Sequence, residues 1–375
     1  MRDRYDVIVV GIGGMGSAAV AELAARGVDV LGLERYDVPH DYGSAHGTSR
    51  IVRRPDATDR ASATLLERGL ERWRDLEADV DRQLLYRTGS IDVGPADGDA
   101  LEDARRICEA TGLEYDRLSS ADLSERFPAF AVPETYAGIY QPEGGVLVPD
   151  VGIVAQVTQA HRAGATIRAR ERVVDWRSVS DGVRVETDHG AYESEALVVT
   201  AGPWIPQLVE PLEGVVVPER QLLGWFQPGN PDRFGPDRFP VWTLWTDEGR
   251  YFGTPVHDVP GCTVGRRRTR EESVDPDAFE REPTQADERL LRSIVEEYVP
   301  TAAGPTMRLS TSLSATTADD RFVLDTLPDR PEVVVGTGCS DSAFAFAPAI
   351  GEVLADLALE GTTEYDVDPF SLDRF

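Results

Sequence analysis

The sequence predicts an α/β protein, α+β in its two-domain arrangement: a Rossmann-type dinucleotide-binding domain with a β-sheet domain interleaved in it. Three observations carry that expectation. A short β-branched run at residues 5–10 leads into Gly11-Ile12-Gly13-Gly14-Met15-Gly16 and then into an alanine-rich helical stretch. Apolar runs of the same kind return at 196–200 and 332–335. Between them lie segments rich in aromatic residues, glycine and proline that read as short strands.

Residues 17–26 form the first helix, Gly27 closes it, and 28–33 is a second buried strand ending at Glu34, which completes one βαβ unit. The stretch 59–80 is helical, because Leu65, Leu66, Leu70, Trp73 and Leu76 fall at three- and four-residue steps. Short strands are expected at 90–93, 137–141 and 146–148, with helices at 99–111 and 151–163. Residues 211–315 are strand-like, interrupted by a helix at 284–298. A last helix runs over 348–359, with Pro348 in its first turn, where proline is favoured. The pieces sort into a discontinuous dinucleotide domain (1–85, 145–210 and 315–375) and a substrate domain (86–144 and 211–314).

Composition narrows the function. The chain has 375 residues, enough for two to three domains at roughly 150 residues each. Its 38 basic residues are all arginine, against 66 acidic ones, a net charge of −28. Such a field repels phosphate, so neither nucleic acid nor an anionic membrane is an expected partner. The absence of lysine removes Schiff-base and P-loop chemistry. The acidic excess resembles that of proteins from salt-loving cells, where carboxylate repulsion is screened. Cys108, Cys262 and Cys339 are far apart, with no CxxC, and the five histidines form no HxxxH pair, so no disulfide framework or metal site is expected. With no leader-like apolar segment and no run near the roughly 20 residues of a membrane span, a cytoplasmic protein is expected.

The glycine turn carries the chemistry. Gly11 permits the tight turn, Gly13 lets backbone approach a pyrophosphate, and Gly16 lets helix and strand pack closely. The helix start offers unpaired N–H groups to the phosphates. Glu34, 18 positions after Gly16, can accept from an adenosine ribose. The motif alone does not separate FAD from NAD. The loop at 43–53, with small residues, hydroxyls, Arg50 and Arg53, suits passage beside a flavin and its pyrophosphate.

With these residues in view, the sequence resembles the monomeric sarcosine oxidase and N-methyltryptophan oxidase family, within the D-amino-acid-oxidase-like flavoenzymes. The resemblance is carried by residues 6–16, the loop 43–53, Thr200-Ala201-Gly202-Pro203-Trp204, Tyr251-Phe252-Gly253, Gly338-Cys339-Ser340 and 351–354, in the same order along the whole chain. It implies an FAD domain of glutathione-reductase type with a substrate sheet over the flavin. The FAD-binding residues it implies are Gly11, Gly13, Gly14, Met15 and Gly16, then Glu34, Arg35, Ser44, Ser49 and Arg50. Val173, Ala201, Gly202, Trp204 and Ser312 follow, and the end segment adds Gly338, Ser342, Ala343, Phe344 and Ala345. It also implies that the last helix aims its positive end at the flavin.

The departures from that pattern are equally specific. Ser312 stands where the family attaches FAD through cysteine, so FAD is expected to be non-covalent, with His46 as the weaker candidate for a covalent link. Thr263 replaces the lysine that assists oxygen reduction, and Ala345 a lysine that helps bind the substrate carboxylate. Ser342 replaces a histidine, and Phe252 and Ser314 replace two tyrosines. Arg50 and the carboxylate-binding Arg53 are retained. Arg266 or Arg267 is a candidate to supply the missing positive charge, and Trp225, Trp242 and Trp245 either wall an amine pocket or pack in a core. The resulting expectation is oxidation of the C–N bond of a secondary or N-alkyl amino acid to an imine that hydrolyses. Oxygen or another acceptor would take the electrons, and the protein would be a monomer or small homo-oligomer. The rivals are a dehydrogenase of another small amino or 2-hydroxy acid and a flavin-binding subunit without catalysis of its own.

Overall fold

The computed structural model describes residues 3–45, 47–54, 59–267, 273–338 and 343–375. Two eight-stranded sheets organise it, with a three-stranded sheet between them. In the first, strand Arg4–Val10 runs parallel to both Val30–Leu33 and Ala191–Val199. Val30–Leu33 pairs in parallel with Thr166–Arg168, and Ala191–Val199 with Arg330–Thr337. Strands covered on both faces read as continuous apolar runs, and Val7 to Val10 are all buried. The hairpins Val173–Val179/Gly182–Thr187 and Val323–Leu327/Arg330–Thr337 extend this sheet.

Helix Gly14–Ala25 follows the first strand and lies close to helix Ala343–Glu360, because small residues meet where they cross: a Cβ on Gly351 would come within 2.7 Å of the Ala18 backbone. The first helix ends at Ala25 and the next strand begins at Val30 rather than at 28. Gly27, at φ +81°, and Val28 fold back to the carbonyls of Ala24 and Leu23, and this capping consumes the two residues. Helix Arg60–Val80 is capped by Asp59, whose carboxylate accepts from Ser62 N–H.

The last helix corrects a sequence expectation. It includes residues from Ala343 onward, and Pro348 lies inside it rather than in its first turn. Residues 343–347 are wholly buried in the core beneath the first sheet. Trp73 Nε1 donates to the Ala345 carbonyl at 3.1 Å. Packing of that apolar run outweighs the helix-breaking tendency of proline.

The second sheet has the order 306–317, 216–226, 262–266, 249–254, 241–246, 90–95, 136–141 and 116–119. Its strands come from 90–141 and 216–317, either side of segments that build the first sheet. One face carries Ile91, Leu222, Trp242, Leu244, Tyr251 and Val264 into a core with helix Gln285–Tyr298. The other face turns toward the glycine turn. Trp242 is therefore a core residue. Among the described residues no helix is long and apolar enough to cross a membrane, and no group of three or more His, Cys, Asp or Glu is placed to hold a metal.

Candidate active site

The two sheets enclose one continuous cleft with about 1880 Å³ of unfilled space, its open mouth included. One end is the glycine turn. Gly11 has φ +90°, and a Cβ there would lie 2.6 Å from the Thr200 carbonyl. A Cβ on Gly16 would lie 1.8 Å from the Gly11 carbonyl, so this glycine is a packing requirement and not a wall of the cleft. Gly13 differs: nothing lies within 4 Å of its Cβ position, which faces open space at the cleft. Gly14 and Met15 line the cleft beside it, and the helix starts with no side-chain cap and no acidic residue in its first turn. Its first N–H groups are therefore available to an anion.

Glu34 is buried at the end of its strand and accepts from Ile12 N–H at 2.8 Å and Tyr36 N–H at 3.0 Å. His40 lies 3.6 Å from its carboxylate, and burial holds the imidazole below its usual pKa. Arg35, Val173, Ala201, Gly202 and Trp204 continue this wall. Asp277, reaching over from the segment between strands 262–266 and 306–317 of the second sheet, accepts from Arg35 at 2.6 Å and from Trp204 Nε1 at 2.9 Å. Burial works against ionisation of Asp277, but these donors outweigh it and leave the carboxyl below its ordinary pKa. Sequence reading missed this tie, and it missed the stack of Tyr36 on Tyr42, at 4.2 Å between ring centroids, with Arg281 over Tyr42 at 3.5 Å.

At the other end the loop before strand Arg50–Val52 meets the second sheet. Ser44 Oγ donates to the Leu313 carbonyl at 2.9 Å, and the Arg50 guanidinium donates to the carbonyls of Ser44 and Ser49. The Gly47 N–H donates to Asp150 at 2.8 Å; burial still raises the Asp150 carboxyl above its usual pKa. Ser44, Ser49, Arg50, Ser312, Gly338, Ala343 and Phe344 all line the cleft, as do Phe252 and Thr263. Gln221 donates to Ser314 Oγ at 3.1 Å while its Oε1, buried, has no partner. Thr337 Oγ1, also buried in the lining, has none either. A predominantly apolar channel with a few unsatisfied hydrogen-bonding atoms is suited to an organic cofactor.

Other predicted site residues lie elsewhere. Ala345 is in the core under Trp73 rather than in the cleft, because the helix turns it inward. Arg53 is buried and ion-paired with Asp92, and Arg267 pairs with Asp320 at 2.7 Å; neither lines the cleft. Arg266 donates to the Glu248 carbonyl and lies over the Tyr251 ring, on the core side of the strand. Of the tryptophans, Trp225 is buried under Arg308 and Trp245 is bonded to Asp92; like Trp242, neither lines the cleft. Ser342, His46, Cys339 and Ser340 lie outside the described residues.

A glycine turn on a helix start, a buried carboxylate at the next strand end and a long cleft roofed by a second sheet define a dinucleotide-binding oxidoreductase fold. The family model described as FAD dependent oxidoreductase matches residues 6–357, and the chain belongs to that family; it is an FAD-dependent oxidoreductase. The chain is 34% identical to monomeric sarcosine oxidase of Bacillus sp. (strain B-0618), over 100% of this chain and 97% of that protein. It is 29% identical to N-methyl-L-tryptophan oxidase of Salmonella dublin, over 99% of each. Among solved structures, NikD, described as an unusual amino acid oxidase essential for nikkomycin biosynthesis, superimposes with a TM-score of 0.87 at 28% identity, covering 98% of this chain and 97% of that one. The cleft fits FAD: open space before Gly13, an uncapped helix start and orphaned polar atoms at Thr337 and Gln221 stand along one channel.

Proposed function

We propose that this enzyme oxidises the C–N bond of a secondary or N-alkyl amino acid, using FAD held without a covalent bond. The observation that carries the reading is the single cleft that joins the glycine turn to the face of the second sheet, in a chain alike over its full length to two oxidases named for N-methyl amino acids. FAD, when bound, supplies a two-electron acceptor. The substrate loses two hydrogens across its C–N bond to give an imine. Water then adds to the imine carbon, and a carbonyl compound and an amine leave.

The chain's own residues bind and orient. Gly11 to Met15 and Glu34 would hold the nucleotide half of FAD, and Arg50 sets a fixed positive charge at the other half. Phe252 offers an apolar surface to the substrate, and Thr263 and Gln221 offer neutral polar atoms. Ser312 lines the cleft with a hydroxyl, which cannot form a thioether, so release of FAD by acid supports the non-covalent reading.

Thr263 also favours a second version of this reading. No lysine exists in the chain to activate oxygen, so an acceptor other than oxygen can serve, as in a dehydrogenase. The test is anaerobic mixing of holoenzyme with N-methyl amino acids, unmodified amino acids and 2-hydroxy acids, followed by oxygen or a dye. Bleaching of the flavin by N-methyl amino acids is expected. Bleaching by hydroxy acids alone overturns the proposal, and slow recovery with oxygen but fast recovery with dye selects the dehydrogenase. The reading includes a cytoplasmic enzyme, a monomer or small homo-oligomer, adapted to salt. A melting temperature that rises with salt supports the last point, given the net charge of −28.

A further inference from the structure

The face of the second sheet that looks toward the cleft continues past the residues lining it. Phe252, in the lining, is in register with Thr243, and Thr243 with Asp92. Adjacent strands lie about 4.8 Å apart, which sets Asp92 about 10 Å from Phe252 along that face. Asp92 is 2% exposed, and a buried carboxylate is tolerated only when paired. Its partner is Arg53, 5% exposed, with Nη2 2.5 Å from Oδ1. Trp245 Nε1 donates to the same oxygen at 3.3 Å, and Arg250 lies 4.8 Å above the Trp245 ring. Arg53 follows Arg50 and Ile51, which both line the cleft, by three and two residues. A guanidinium beside the substrate side of the cleft is thus already matched by a carboxylate of the protein itself.

We propose that Asp92 is a specificity-determining residue: by holding Arg53 in an internal ion pair it competes with the carboxylate of a bound substrate, so recognition rests on the amine end and on apolar contact. The proposal rests on the amine-oxidation reading above and deepens it by naming the substrate class as amines in which a carboxylate adds little affinity. A residue that instead merely oriented Arg53 toward a substrate carboxylate would act with the opposite sign.

The experiment titrates FAD-loaded protein with methoxyacetate and, as the uncharged control, methoxyacetamide, reading the perturbation of the flavin absorbance. No turnover is needed, so a flavin that no amine bleaches would defeat the amine-oxidation reading and leave these titrations intact. Charge-assisted hydrogen bonds are worth about 1.5–3 kcal/mol, so Asp92→Asn, and Asp92→Ala, which also vacates room, are expected to bind methoxyacetate about tenfold or more tighter with methoxyacetamide unchanged. Adding Arg53→Gln to either variant is expected to abolish the gain. Equal or weaker binding of methoxyacetate by folded, FAD-loaded variants overturns the proposal, as does a gain that survives Arg53→Gln. The unaltered holoenzyme gives an independent check if the variants do not fold. It is expected to bind the two ligands within about threefold of each other, and a preference for the carboxylate of about a hundredfold contradicts the internal pair as competitor.

Discussion

The nucleotide end of the cleft and its substrate wall are built by different means. The nucleotide end is made of backbone: a turn at Gly11, open space at Gly13, a helix start and one carboxylate, all within 31 residues of chain from position 4 to 34. The substrate wall is made of side chains from four strands of the second sheet, and the charges next to it are cancelled locally, as Arg53 is by Asp92 and Arg267 by Asp320. Backbone recognition tolerates almost no change of residue. A wall of side chains can be rewritten singly, which is how one fold serves amine substrates of different size and charge.

The sharpest way to break this contrast lies in the glycine turn itself. Gly16→Ala places a methyl 1.8 Å from the Gly11 carbonyl, so helix and strand must separate. A loss of about 3 kcal/mol or more, seen as a lower melting temperature and colourless protein, is expected. Gly13→Ala meets nothing within 4 Å, so the melting temperature of the FAD-free protein stays unchanged while FAD affinity falls about tenfold or more. If both variants lose stability equally, the distinction between packing glycine and cofactor-facing glycine is wrong.

A smaller effect tests the joint between the two regions. Asp277→Ala removes the acceptor shared by Arg35 and Trp204, and FAD is expected to dissociate roughly fivefold faster, for a partly exposed tie worth about 1 kcal/mol. The Asp277 carboxyl is lower in the folded protein than in the unfolded chain. Its contribution is therefore present above the ordinary carboxylate range and is lost as pH falls through the folded value. The smallest effect belongs to His40. Burial makes the folded protein hold this proton less firmly than the unfolded chain, so stability declines as pH falls below about 6.5, the unfolded value. His40→Gln should flatten that slope in thermal melts taken between pH 7 and pH 5; an unchanged slope removes His40 as its source.

The same contrast explains what the sequence reveals. The first strand, glycine turn and helix are legible because each rule acts within a few residues, and Glu34 is found by counting along the chain. The Asp92–Arg53 pair spans 39 positions and the Arg35–Asp277 pair 242, and no local pattern marks either. Arg267 sits in an arginine run that reads as free charge until the fold delivers Asp320 to it. Pro348 misleads for a related reason: a local preference for helix starts yields to the burial of residues 343–347, a property of the assembled core.

Central to the account is FAD lying in the cleft between the sheets, gripped but not bonded. The most direct measurement is the flavin content of the purified protein before and after acid precipitation. A yellow protein with about one FAD per chain, all of it recovered in the acid supernatant, is the predicted result. A colourless protein that stays so with excess FAD, or flavin that remains in the pellet, contradicts it.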